Sequence, residues 1–108
     1  MALGPHVIWI KDPASTLTVG LHWPDVIARG DTLGSVAWAV PAGLTKVSEG
    51  INTVAMVDMG VSYPAGEVAL VRLSGGTPVG ADIDIICKIT TAAGDIDERT
   101  ITVAVRER

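Results

Sequence analysis

The sequence predicts an all-β fold of short antiparallel strands. Two observations carry that prediction. Turn-forming residues recur about every ten positions, as β-sandwiches require. They fall at 11–15 (KDPAS), 23–31 (WPDVIARGD), 40–43 (VPAG), 48–52 (SEGIN), 58–67 (DMGVSYPAGE), 74–80 (SGGTPVG) and 92–95 (AAGD). Between them apolar and polar residues alternate, the period of a half-buried strand whose successive side chains leave opposite faces.

The strands follow in order. The first is HVIWI, 6–10, ended by Pro13. In STLTVGLHW, 15–23, Leu17, Val19, Leu21 and Trp23 share one face. WPDVIARG then places Pro24 at a first helical position and Gly30 at a helix end, which predicts a short helical turn near 24–29. LGSVAWAV, 33–40, sets Val36, Trp38 and Val40 on one side; TVAMV, 53–57, and EVALVRL, 67–73, follow. ADIDIICKIT, 81–90, points Ile83, Ile85, Cys87 and Ile89 inward and Asp82, Asp84 and Lys88 outward. DERTITVAVR, 97–106, does the same with Ile101, Val103 and Val105. The last two strands form a hairpin through TTAAGD, where Gly94 is free to take a positive φ. About seven strands so connected predict a single immunoglobulin-like antiparallel β-sandwich, with a small barrel as the competing architecture.

Length and composition agree with one domain over 1–108, with residues 1–8 a candidate arm. Hydrophobic residues make up 48% and charged ones 19%, apolar for a chain of 108 residues. The core must be built from Val, Ile, Leu and Ala around three tryptophans, because there is no Phe and one Tyr. A net charge of −4 with no Lys/Arg run excludes nucleic acid as an expected partner. One cysteine excludes an intrachain disulfide and a cysteine metal cluster. The start, MALGPHVIWIKDP, lacks the basic region and long apolar stretch of a signal peptide, and no apolar run approaches the roughly 20 residues of a membrane span. Synthesis in a cytoplasm and no membrane partner are therefore expected.

No chemistry of a catalytic kind emerges, and neither a cofactor nor a metal is expected. A nucleophile needs a base beside it. The histidines are His6 and His22, and nothing in the pattern brings either to Cys87, which alternates with isoleucines as a small buried hydrophobe would. Asp82 and Asp84 share a strand face, while Asp95, Asp97 and Glu98 lie at the other end of that strand, so the two sets do not converge. GDIDE lacks the spacing of a calcium loop. LSGGTPVG, 73–80, matches neither phosphate-binding fingerprint and reads as a turn. Trp38 reads as core, Trp23 as the core's edge and Trp9 as the most exposed of the three. With one Asn and no Gln the chain is poor in the amides of a sugar site.

The apolar excess is more informative. EVALVRL is apolar on both faces, Ile86 points away from the Ile83/Ile85/Cys87 face, and Ala104 points away from its strand's inner face. A two-layer sandwich buries one face per strand, and each buried Leu or Ile contributes about 1.5–3 kcal/mol. Outward apolar residues thus point to assembly, with Trp9, Val68, Leu70 and Ile86 as interface candidates.

Three stretches carry a resemblance: KDPASTL, HWPDVIARGDTLGSVAWAVPAGL and VRLSGGTPVGADIDIICKITTAAGDIDERTITVAVRER. Asp-Pro near the start, Trp followed by GDT, a strand ending in VPAGL, the LSGGT…G loop and the closing ITTAAG…D-R-T-I…V-R resemble a family of small bacteriophage fiber–tail adaptor or tail-associated proteins. The resemblance spans 11–108. One departure is that Gly80 is followed by ADIDIICKI, with Ile83 or Ile85 where the family packs an aromatic. The resemblance implies a non-enzymatic virion structural protein in several copies. Its partners would be tail, fiber or head–tail connector proteins, with a capsid decoration protein bound to the major capsid protein as the alternative. A carbohydrate-binding module is the alternative of another class, and a small hydrolase is least favoured. A last strand near a sheet edge would then pair with a neighbouring chain, its edge blunted by Arg99, Arg106, Glu107 and Arg108.

Overall fold

The computed structural model describes residues 8–58 and 60–107. The elements are β1 (Ile8–Lys11), β2 (Leu17–His22), α1 (Pro24–Ala28), β3 (Leu33–Ala39), β4 (Thr45–Ile51), β5 (Met56–Asp58), β6 (Val61–Tyr63), β7 (Val68–Ser74), β8 (Asp82–Thr91) and β9 (Ile96–Val105). One sheet has the order β1-β9-β8-β3 and a second β2-β7-β4; β5 and β6 form a separate hairpin. The fold is all-β, as expected, with nine strands among the described residues rather than about seven.

The additional strands are β4 and β6, both of which lie in stretches with turn composition. TKVSEGI of β4 is exposed along nearly its whole length and carries a bulge between Lys46 and Ser48, so no apolar alternation announces it. VSY of β6 is three residues long and packs no large buried side chain. Helix α1 starts on Pro24 and is followed by Gly30 at φ +77, as its composition implies.

The facing sides of the two sheets bury one cluster. It takes Val19 and Leu21 from β2, Ala69, Val71 and Leu73 from β7, Ile83, Ile85, Cys87 and Ile89 from β8, and Ile101, Val103 and Val105 from β9. Three tryptophans fill the larger gaps. Trp9 and Trp38 meet with ring centroids 6.1 Å apart, and Trp23 is buried before α1 with the Arg99 guanidinium 4.7 Å above its ring. The β8–β9 hairpin closes as expected: Thr91 N donates to Asp95 O at 2.8 Å, and Gly94 turns at φ +98. Asp31 ties the loop after α1 to this turn, accepting from Thr32 N at 2.8 Å and Ala93 N at 3.2 Å. A hydrogen bond from the Thr91 side chain leads the causes that hold its carboxyl below the ordinary value.

Two expectations are corrected here. The last strand is not at an edge: β9 lies between β8, which it pairs antiparallel, and β1, which it pairs parallel with Trp9 opposite Val103. Its closing residues Ala104 and Val105 are buried. Trp9, the tryptophan expected to be most exposed, is 5% exposed, because the parallel pairing of β1 carries it into the core.

The rim between β3 and β4 is closed by side chains. Trp38 N donates to Glu49 Oε1 at 2.7 Å, and Lys46 Nζ donates to Trp38 O at 3.0 Å and to both Glu49 oxygens at 3.1 Å. Two residues of β4 thereby occupy the main-chain groups of Trp38 that a further strand would take, a protected edge. Burial raises the Glu49 carboxyl, but the Trp38 N–H and Lys46 outweigh it and hold it below the ordinary value. Its contribution to stability is therefore present above the ordinary glutamate range near pH ~4.3 and is lost as pH falls through the lowered value. Glu49→Ala is expected to cost about 1–3 kcal/mol in urea unfolding at pH 7, with a smaller difference from the parent at pH 3. An equal difference at both pH values would contradict this role.

At the opposite rim Lys11 is buried, and its ammonium donates to Asp12 O at 2.9 Å and to the carbonyls of Ser15 and Gly75. It ties the end of β1 to the loop after β7. Burial lowers its pKa, with the Asp12 charge acting in the other direction.

Candidate functional site

The segment between β4 and β7 projects the largest group of exposed apolar side chains. Val54, Val57 and Val61 are 69%, 74% and 52% exposed. In the hairpin Met56 pairs with Tyr63 and Val57 with Ser62. Met56 and Tyr63 share a half-buried face, and Val57 stands on the open one.

The base of this hairpin is held by one buried side chain. Asn52 Nδ2 donates to Val54 O at 3.0 Å and to Pro64 O at 2.9 Å, and its Oδ1 accepts from Gly66 N, Glu67 N and Val68 N at 3.1, 3.2 and 3.0 Å. The main chain adds Asn52 N to Val68 O at 3.1 Å and Gly66 N to Asn52 O at 2.9 Å. An amide supplies donors and acceptor together, so one side chain satisfies both chain segments at the hairpin's base. A second tie comes from β2: His22 Nε2 lies 3.2 Å from Glu67 Oε1, and its ring is 4.8 Å from that of Tyr63. The hairpin is thus a tethered projection of the two-sheet body.

The interface candidates separate in the structure. Val68 is fully buried. It faces outward from β7 opposite His22, but Gly20, opposite Leu70, has no side chain; a Cβ there would lie 2.7 Å from Val68 Cγ1 and 2.9 Å from Leu70 Cδ2, so both side chains lie down over β2. Leu70 stays half-exposed in the row between Gly20 and Gly50. Ile86 is 37% exposed beside Ala39, Val40, Pro41 and Asp84, which line a shallow open hollow. Ala104, expected to point outward, is buried between Ile10 and Asp82. Arg99 is engaged, donating to Asp25 Oδ2 at 3.0 Å above Trp23. Arg106 donates to Asp82 Oδ1 at 3.0 Å and to Ala81 O at 3.3 Å. Arg108 lies outside the described residues. The hairpin valines were not singled out from the sequence; a signal was present in the near-absence of charge between Asn52 and Glu67.

The groups weighed for chemistry stay apart. Asp84 accepts from Thr102 Oγ1 at 2.8 Å, and Asp95 lies 3.9 Å from Arg29 at the far end of the sheet. Among the described residues no group of three or more His, Cys, Asp or Glu could hold a metal ion, and no helix is long and apolar enough to cross a membrane.

Cys87 is buried, and desolvation pushes its thiol up to about 12. An unfolded thiol ionises near pH ~8.5, so the folded state loses stability as pH rises above that value, by about 1.4 kcal/mol per pH unit until the folded thiol ionises. Between pH 8 and 10.5 the parent is expected to lose about 2–3 kcal/mol more than Cys87→Val in urea unfolding. Parallel losses in the two proteins would contradict the burial of the thiol.

What the fold and this surface define is a small all-β protein that displays apolar side chains on a tethered hairpin. The family of the podophage GP4 fiber-tail adaptor protein gp77 matches residues 11–104, and the chain belongs to that family. It is a bacteriophage structural protein of the fiber–tail adaptor kind, with a place in the virion and virion proteins as partners. No curated protein matches the chain.

Proposed function

We propose that the chain is a non-enzymatic adaptor that joins a tail fiber or spike to the tail or head–tail junction, in several copies, through protein–protein contacts. The observation that carries this reading is the hairpin at 52–66, where exposed valines stand on a base fixed by Asn52. Monomeric proteins seldom hold a group of apolar side chains out to water on a tethered projection without a partner for them. Leu70 and Ile86 offer smaller apolar contacts on the outer faces of the two sheets.

We also read the sandwich as immunoglobulin-like and the chain as one domain, made in the host cytoplasm. Strand order supports the fold reading. The sheet β2-β7-β4 corresponds to strands B, E and D of that architecture, and β3, β8 and β9 to C, F and G. On this alignment β1 adds to G, and the β5–β6 hairpin is an elaboration between D and E. An elaboration that carries the exposed valines is where a role particular to this protein would sit.

The test is a phage deleted for this gene. Its particles are expected to contain tails without attached fibers, and purified chain added to them together with fiber protein is expected to restore attachment. Particles with a normal fiber complement would overturn the adaptor reading.

A further inference from the structure

We infer that the edge of β5 (Met56–Asp58) with the two residues before it is a docking edge that receives an extended strand from another virion protein. This deepens the adaptor reading and rests on it.

Four observations converge on that edge. First, composition: segment 53–66 carries a single charged residue, Asp58, in a chain where 19% of residues are charged, and it holds two of the three methionines and the one tyrosine. Depletion of charge with enrichment of Met and Tyr is the composition of an interface core, and methionine adapts its shape to a partner. Second, topology: among the described residues β5 and β6 pair with each other and with no other strand. An isolated two-stranded hairpin is marginal in water, and a third strand stabilises it. Third, the two edges differ. Pro64 follows β6 directly, and proline cannot donate to a ladder. Thr53 to Asp58 contains no proline, so β5 can accept a strand over its three residues, beyond the Val54 carbonyl that Asn52 already holds. Fourth, contrast: the β3 edge is occupied by Lys46 and Glu49, and both β3 and β4 carry bulges. This chain therefore blocks strand addition on one rim of the two-sheet body and leaves on the hairpin an edge whose one charged residue, Asp58, stands at its end.

The occupant is an extended segment with apolar residues at alternate positions, so that one row of its side chains lies against Val57. Main-chain hydrogen bonds to β5 would supply affinity, and the alternate side chains specificity. Nearly uncharged surroundings favour a protein segment over an anionic surface.

The test uses the full chain, fiberless tails and the purified fiber protein of the same phage. Binding to each is measured for the parent, for Val57→Asp and for Ile86→Asp, with amide hydrogen exchange on the parent complexes. Val57→Asp is expected to weaken binding to either the tail or the fiber about 100-fold with its unfolding midpoint unchanged, Ile86→Asp to bind that partner as the parent does, and the amides of 54–58 to become protected in that complex. Val57→Asp binding both partners as the parent does would overturn the inference, as would a complex in which those amides stay unprotected. If Val57→Asp instead breaks up an oligomer of the chain while both partners still bind, the edge serves a second copy and the inference is wrong. Protection of 54–58 on neutral phosphatidylcholine vesicles, without it in either protein complex, would also overturn it. A parent chain that binds neither tail nor fiber removes the adaptor reading itself, an outcome distinct from failure of the docking edge alone.

Discussion

Asn52→Ala is expected to lower the stability of the whole chain by about 3–4 kcal/mol, a fall in melting temperature of about 15–25 °C. Five hydrogen bonds converge on this buried amide, two donated and three accepted. Alanine leaves the amides of Glu67 and Val68 without this acceptor and two carbonyls without this donor, while the Gly66 amide keeps the Asn52 main-chain carbonyl. Val68 sits in a fully buried stretch, so its amide is not readily resolvated. Asn52→Asp keeps the acceptor and loses the donors, and is expected to cost less than alanine. Thermal and urea unfolding followed by circular dichroism would read both. A loss below about 1 kcal/mol for the alanine variant would show that the hairpin base is held by its main chain alone.

The second large effect is expected at Trp23. Trp23→Ala removes a fully buried aromatic ring and should cost about 3–5 kcal/mol. The ring supports two further elements: Arg99 of β9 stacks on it, and the same guanidinium holds Asp25 at the start of α1. Losing the platform frees Arg99 into water and removes the support of α1. Trp23→Phe keeps most of the packing and an aromatic face, so it should cost less than half as much. Urea unfolding of the two variants gives the comparison, and equal losses would contradict the stacking role.

Much of the fold was legible because burial enforces a period. β8 buries alternate residues over most of its length, and the inward set Ile83, Ile85, Cys87 and Ile89 follows from alternation alone, whereas β9 is open at its start and buried throughout 103–105. The helical turn and the Gly94 hairpin were legible from backbone chemistry, since proline and glycine act locally. β4 was not legible, because a strand open to water on both faces needs no apolar pattern; Lys46 and Glu49 hold it through Trp38. The position of β9 was misread for a related reason. Alternation says which face of a strand is buried and nothing about its neighbours, and the parallel pairing with β1 joins residues far apart in the chain. Asn52 was visible as the one asparagine, but its role depends on main-chain groups up to 16 residues away. Of the interface candidates, Ile86 kept the exposure expected of it, whereas Val68 lost it to a glycine on the next strand.

The central claim is that this chain joins two virion proteins by contact. The measurement that tests it most directly is the mass, by light scattering, of the purified chain alone, with the fiber protein, with the tail, and with both. The account predicts a stoichiometric complex with each and a ternary complex that fiber and tail do not form without the chain. A chain that leaves the masses of both partners unchanged, or a fiber and tail that associate equally well in its absence, would contradict it.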